Sequence, residues 1–316
     1  MWQHGERNDL TDVPGVLVGH AQDRQAQTGV TAVLTPQGAV VGVAVEGSAP
    51  GTRETDLCRP GNLITHAHAV LLCGGSAFGL AAADGAMRYL EERGYGFPSG
   101  HALVPIVPAA VLYDLGVGDA RVRPTAEMGY AACAAARDKE VLWGRVGVGT
   151  GCTVGKILGM EHASPSGIGS ASLVVGGVVV AAAVAVNAFG DVREPGSGRI
   201  LAGARRPEGD GFVDTVALMG QGSAPHAFAD AAAAGQNTTI GVVAVGGQLS
   251  KEGANKVARM AHDGLARTIA PIHTMFDGDT LFCLATGDKP IDVTLAGTAA
   301  ALAVELAVLD AVRRAQ

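Results

Sequence analysis

The sequence is poor in aromatic side chains (4%) and in charge (17%), and what those shortages exclude is the first guide to it. With 23 basic against 30 acidic residues the formal charge is −7, and no basic stripe stands out, so there is no electrostatic basis for nucleic-acid binding. Low charge does not mean disorder here, because hydrophobic residues make up 48%, enough for a sizeable core. Cysteine is scarce too. Cys58, Cys73, Cys133, Cys152 and Cys283 are odd in number and lack metal or redox spacing. They read as buried free thiols in a reducing cytoplasm, and neither a metal nor another cofactor is expected. Long apolar runs are missing: the longest, residues 173–186, has 14 residues and is broken at Gly176-Gly177. That is too short to span a bilayer and predicts two buried strands around a turn. Residues 1–12 are polar and charged, so no secretory signal is expected there.

What the chain does have is glycine, 46 of them, which implies many tight turns and close backbone approaches. Residues 27–45 alternate β-rich runs with Gly29, Pro36 and Gly38 and predict a strand meander. A buried strand is expected at 69–73, then a helix over 76–93 closed by Gly94, and a second helix over 124–139. Residues 170–187 predict the buried hairpin. Residues 187–211, rich in Gly, Pro, Arg, Asp and Glu, read as an exposed loop. Alanine-rich residues 223–237 read as a loose helix or a tether. The last third repeats the alternation: strand 239–246, helix 250–268, strand 280–285 and helix 294–314. Strands and helices interleave without a linker or repeat, which predicts one α/β domain of layered sheets between helices.

Several familiar patterns fail on inspection. Thr150-Gly151-Cys152-Thr153-Val154-Gly155-Lys156-Ile157 resembles a phosphate loop, but Thr150 replaces its first glycine and Ile157 its metal-binding hydroxyl. Gly147, Gly149 and Gly151 lack the third spaced glycine of a dinucleotide fingerprint. Gly74-Gly75-Ser76-Ala77-Phe78-Gly79 misses the hydrolase elbow because Phe78 stands where glycine is required, and Ser76 reads as a helix N-cap. His66 and His68, two apart, have no carboxylate or cysteine beside them to complete a metal site. His273, four residues before Asp277, either orients that carboxylate or simply ends a turn after Pro271.

The junction Gln236-Asn237-Thr238-Thr239-Ile240 runs from a small, polar segment into an apolar strand. Read alone, it is a capped loop before a buried strand. If the Asn237–Thr238 bond were cut, Thr238 would carry both a hydroxyl nucleophile and a free α-amine, whose pKa of roughly 7.7–8.0 suits a general base. Asp277-Gly278-Asp279-Thr280 sets two carboxylates at i and i+2, facing the same way in extended backbone, so their titrations should couple. In isolation it is an acidic turn. Lys156, in a turn of small residues, points either into a cavity or to solvent. Asn187 closes the most hydrophobic strand, where its amide either serves an oxyanion or forms a turn.

In combination these segments resemble a known family, the N-terminal-nucleophile peptidases that include L-aminopeptidase/D-esterases, β-peptidyl aminopeptidases and nylon-oligomer (6-aminohexanoate oligomer) hydrolases. The resemblance spans nearly the whole chain through five ordered motifs: Leu72 to Leu80, Gly149 to Lys156, Ala185 to Gly190, Asn237 to Ile240, and Asp277 to Thr280. It implies an αββα sandwich and an autoproteolytic precursor cut between Asn237 and Thr238 into residues 1–237 and 238–316. It further implies Thr238 as nucleophile, with Lys156, Asn187, Asp277 and Asp279 at catalytic positions and Tyr113 near substrate. Within the family, the β-aminopeptidases are expected to carry a serine nucleophile, with serine and glutamate in place of the two aspartates. Thr238 with Asp277 and Asp279 looks like the nylon-oligomer branch. The implied function is an amide hydrolase acting on short peptides or ω-amino-acid oligomers, homo-oligomeric and cytoplasmic, with no membrane or nucleic-acid partner. An acyltransferase of the ornithine acetyltransferase type and an uncleaved binding protein of the same fold are the alternatives.

Overall fold

A computed structural model of the chain describes residues 2–222 and 237–316. The tether or helix expected over 223–237 therefore falls outside the described residues, save Asn237. The principal elements are β1 (Gln3–His4), β2 (Leu17–Asp23), β3 (Thr28–Val45), β4 (Gly51–Arg53), β5 (His66–Cys73), α1 (Ala82–Glu91) and β6 (Ala109–Val111). They continue with α2 (Ala126–Ala134), β7 (Ile168–Val175), β8 (Val178–Asn187), β9 (Thr238–Val245), α3 (Lys251–Thr268), β10 (Thr280–Ala285) and α4 (Val293–Arg313). Ten strands join in the order β1-β7-β8-β9-β10-β3-β5-β6-β4, with β2 paired to β3. Within this sheet, among the described residues, β9–β10 and β5–β6 are the parallel strand pairs.

Which way successive side chains point turns this sheet into two layers. Along β8, Val180, Ala182, Val184 and Val186 enter one apolar cluster while Ala181, Ala183 and Ala185 enter another, as a period of two demands. The first cluster lies under α3 and α4, through Val257, Ala261, Leu265, Ala300 and Val304. The second also takes Val33, Val70 and Leu72 from β3 and β5, so it lies between two sheet halves that face each other. The opposite face of β3 and β5 (Ala32, Leu34, Leu71) packs on α1 and α2 through Ala83, Ala86, Leu90 and Ala132. The order is helices, sheet, sheet, helices: the αββα sandwich.

β3 belongs to both halves and is where the expected meander fails. Its 18 residues form one strand, and the irregularity between Leu34 and Ala39, around Pro36 and Gly38, bends it instead of ending it. The hairpin over β7 and β8 forms as expected, its two-residue loop Gly176-Gly177 taking positive φ at both positions (58° and 72°). The helix expected from Ser76 instead begins at Ala82, after a 3-10 turn over Ser76–Ala81. Ser76 takes φ 54° and makes no cap, because Gly75 and Ser76 are both turned left-handed to meet the loop after β6. Gly94 closes α1 as expected, with φ 75° and its N–H on the Glu91 carbonyl. The helix expected over 124–139 is shorter, capped by Thr125 and ending near Ala135. The loop expected over 187–211 is exposed only in its later part. Ala188 to Val192 are buried, because Asp191-Val192 pair with Ile269–Ala270 and the Asp191 carboxylate accepts from Thr215 and Ala204.

α3 begins at Ser250, whose hydroxyl accepts from Gly253 N (3.1 Å), and α4 at Asp292, whose carboxylate accepts from Leu295 N (2.9 Å). By length and apolar composition α4 would also suit a bilayer, with mean hydropathy 1.8, but 67% of that stretch is buried in this core. Close approach of α3 and α4 needs Gly264, where a Cβ would stand 2.2 Å from the Ala301 carbonyl oxygen. At Gly297 the atoms nearest a Cβ all belong to the Met260 side chain, with its sulfur at 2.4 Å. Gly264→Ala is therefore expected to lower the unfolding free energy by about 1–3 kcal/mol. Gly297→Ala should be neutral or stabilising, by up to about 1 kcal/mol from helix propensity. Urea denaturation of the two variants checks both.

Candidate active site

The register of three neighbouring strands builds the site. Antiparallel pairing sets Asn187, last in β8, opposite Thr238, first in β9. Cross-strand partners point to the same face, and this one continues the inter-sheet face of Ala185 and Ile240. Parallel pairing of Ile240 with Thr280 brings the turn before β10 alongside, and Asn237 bridges Asp277 directly. The same turn is held from the other side by the segment that follows β3, since Glu46 N and Gly47 N reach the Asp279 carbonyl and Ala49 N reaches that of Asp277.

Thr238 is buried, and its Oγ1 donates to the carbonyl of its own predecessor, Asn237. That carbonyl also accepts from Gly278 N at 3.0 Å. Gly278 has to be glycine: a Cβ there would lie 2.6 Å from the Ala49 carbonyl and 2.8 Å from Thr238 Oγ1.

The two aspartates, both without exposure, are used differently. Asp279 is fully engaged. Its Oδ1 accepts from Thr239 N (2.7 Å) and its Oδ2 from both His273 N (3.1 Å) and His273 Nδ1 (2.8 Å). Asp277 accepts on Oδ2 from Thr274 N (2.8 Å) and Thr274 Oγ1 (2.5 Å), while its Oδ1 has no partner among the described residues. Burial, with Asp279 beside it, pushes the Asp277 carboxyl up to about 6, against the pull of Thr274 and Lys156. His273 thus orients Asp279 and not Asp277, a correction to the sequence reading. The turn after Thr274 swings Asp277 back onto Thr274 itself.

Lys156 enters from the loop after a short strand at Thr153–Val154. Its backbone N–H donates to the Phe189 carbonyl (2.9 Å), and Gly155, at φ 72°, passes so close to Gly203 and Ala204 that a Cβ would clash with their backbone. The loop so turned drives the side chain inward. Lys156 Nζ donates to Asn187 Oδ1 at 2.9 Å, and burial lowers its pKa to about 8, with Cys152, Asp277 and Asp114 opposing. Asn187 Oδ1 also accepts from Thr153 N (3.1 Å), and its Nδ2 donates to the Tyr113 carbonyl (2.9 Å). Tyr113 therefore meets this cluster through its backbone, its residue half-buried.

Of the residues singled out in the sequence, Thr238, Asn187, Lys156, Asp277 and Asp279 come together by these bonds, with Asn237 and Tyr113 at the edge. Sequence reasoning missed Thr274 and Asp114. Asp114 is buried and accepts from Gly75 N (2.7 Å), and a Cβ on Gly74 or Gly151 would strike it. Burial raises its carboxyl above the usual range. The failed nucleotide and hydrolase-elbow patterns are thus glycine turns wrapped around one buried acid. His66 and His68 stay apart from this site: His68 Nδ1 accepts from Ile106 N (3.2 Å) and His66 is exposed.

Because the folded protein holds the Asp277 proton more tightly than the unfolded chain does, ionising Asp277 costs stability. The penalty is absent below about pH 4 and complete above about pH 6. In a Thr238→Ala background, Asp277→Asn is expected to raise the unfolding free energy at pH 7.5 by on the order of 2–3 kcal/mol. At pH 4 it should change it little. Denaturation at the two pH values measures the difference.

Residues 8–316 match the model of peptidase family S58. An uncharacterized aminopeptidase of Mycobacterium tuberculosis is 45% identical over 321 residues, covering 96% of this chain and 89% of that protein. The 6-aminohexanoate-oligomer endohydrolase of a Kocuria species is 29% identical over 307 residues, covering 95% of this chain and 81% of the enzyme. Among solved structures, the L-aminopeptidase D-Ala-esterase/amidase of Ochrobactrum anthropi, a variant of the Ntn hydrolase fold, superposes with a TM-score of 0.75 at 21% identity. It covers all of this chain and 88% of that one. The β-aminopeptidase of a Burkholderia species gives 0.70 at 23% identity, covering 98% and 87%. Family, fold and the cluster at the head of β9 converge: the chain belongs to peptidase family S58 and is a hydrolase of amide or peptide bonds.

Proposed function

We propose that the protein is an autoprocessing N-terminal-nucleophile hydrolase in which Thr238 first cleaves its own chain and then acts on amide substrates. The observation that carries the reading is the Asn237 carbonyl, which touches Thr238 Oγ1 and accepts from Gly278 N. In the first step Oγ1 attacks the Asn237 carbonyl carbon while Gly278 N stabilises the oxyanion. The hydroxyl proton passes to Asp277, whose Oδ1 has no competing partner, and on to the departing nitrogen. Water hydrolyses the resulting ester, leaving an Asn237 carboxylate and a free Thr238 α-amine.

In turnover that α-amine takes the Thr238 hydroxyl proton, Oγ1 attacks the substrate carbonyl, and the amine leaves with the proton. Water then releases the acyl group. Lys156 keeps the neighbouring α-amine neutral by its positive potential. It also faces the developing oxyanion together with the second Nδ2 proton of Asn187. Asp277 is the carboxylate with an open oxygen for an ammonium, either that of Thr238 or that of a substrate. Asp279 holds the backbone at Thr239. Short peptides, amino-acid amides and ω-amino-acid oligomers form the substrate class, supported by the aminopeptidase and oligomer-hydrolase relatives. Five buried, unpaired cysteines suit a reducing cytoplasm.

Under denaturing conditions the purified protein is expected to give two chains, the shorter starting Thr-Thr-Ile-Gly, by mass spectrometry. Thr238→Ala should remain one chain and be inactive, and normal cleavage of that variant would sink the proposal. Before cleavage no α-amine exists, so the pH profile of chain cleavage isolates the side chains. Its rate should rise through about pH 6 as Asp277 ionises and fall through about pH 8 as Lys156 loses its proton. A profile flat from pH 5 to 9 would remove both groups from the mechanism.

A further inference from the structure

We propose that His273 is a positioning residue for the nucleophile: its Nδ1–H locks Asp279 so that Asp279 in turn fixes the peptide that follows Thr238. This rests on Thr238 being the nucleophile and extends that reading by one residue that never touches the substrate.

The tautomer follows from the partners. A carboxylate only accepts, so the 2.8 Å contact of His273 Nδ1 with Asp279 Oδ2 requires the proton on Nδ1. The backbone N–H of His273 reaches the same oxygen (3.1 Å), so the residue grips one carboxylate oxygen twice. That grip leaves Oδ1 aimed at Thr239 N, 2.7 Å away, and sets the plane of the Thr238–Thr239 peptide. His273 takes φ 57°, the left-handed conformation that allows backbone and ring to face the same acceptor.

A second ring backs the first. His262, on α3, lies 4.9 Å from the His273 ring, centroid to centroid, tilted by 59°. Its Nε2 contacts the Ala44 carbonyl (3.2 Å), an acceptor only, so His262 carries its proton there. His262 Nδ1 and His273 Nε2 are both buried and without a hydrogen-bond partner among the described residues. Burial and the neighbouring His273 push His262 down to about 4. Each ring thus spends a proton on a fixed acceptor, and His262 is the wall that keeps His273 from turning away from Asp279.

Asparagine provides a sharp test. Its Nδ2 occupies the topological position of histidine Nδ1, and it tolerates positive φ. His273→Ala is expected to lower kcat for amide hydrolysis by about 10–100-fold with KM within about twofold, the pattern of a misplaced nucleophile. His273→Asn should recover most of that loss. Equal kcat in His273→Ala and wild type would overturn the proposal. So would a His273→Asn protein as impaired as His273→Ala, which would assign the effect to ring bulk. Nitrogen-15 NMR of the wild-type imidazoles reads the tautomer without any activity and decides the case even if the alanine variant fails to fold. An Nδ1–H signature at His273 is expected, and an Nε2–H signature would overturn the proposal. A wild type that neither cleaves itself nor hydrolyses amides would instead count against the assigned function, with the tautomer still deciding the hydrogen bond.

Discussion

Everything at the site depends on the register of β9 against its two neighbours. Thr238 meets Asn187 on one side, and the turn of Asp277 to Asp279 lies beside it on the other, because the strands are fixed along their whole buried length. Slipping β9 by one residue would send Thr238 to the helix-facing side and its apolar partners to the wrong core. The Val, Ala and Ile pattern of the strand interiors thus sets the chemistry at the strand ends. The helices reinforce it, since α3 and α4 press on the same strands whose ends carry the functional groups.

A second constraint is electrostatic. Lys156, Asp114, Asp277 and Asp279 are all buried, and buried charges survive only when paired or bonded. Backbone amides do much of that work: Gly75 N for Asp114, Thr274 N for Asp277, Thr239 N and His273 N for Asp279. Glycines make the room: a Cβ on Gly74 or Gly151 would strike Asp114, and one on Gly278 would strike the Ala49 carbonyl and Thr238 Oγ1. Of the two aspartates beside Thr238, only Asp277 keeps an oxygen, Oδ1, without a partner among the described residues.

Much of this was legible in the residues. β-Branched runs and Gly176-Gly177 marked the hairpin, and the late strand–helix alternation matches β9, α3, β10 and α4 within a residue or so at most ends. The bend in β3 was not legible, because Pro36 and Gly38 interrupt a strand in the same way whether the chain turns or merely kinks. The acidic pair was visible, but its division of labour was not. That division depends on Thr274, His273 and Thr239 N, whose roles arise from a turn and a parallel pairing across 40 positions. Sequence distance also pointed His273 at the nearer aspartate, when the backbone delivers it to the farther one. Asp114 carried no local signal at all, and only the glycines around it hint at something buried there.

The strand order has one more consequence. β9 and β10, both drawn from residues 238–316, sit side by side in the main sheet, flanked by β8 on one edge and β3 on the other. A chain severed before Thr238 would therefore hold the strands of its smaller piece as an inlay in the main sheet, laddered to the larger piece along both margins. α3 and α4 belong to that smaller piece and reach over β7, β8 and β3 of the larger one. Parting the fragments would mean opening these ladders, that of Ile269–Ala270 with Asp191-Val192, and the apolar layers on both sides at once, so separating the two pieces would amount to unfolding the domain.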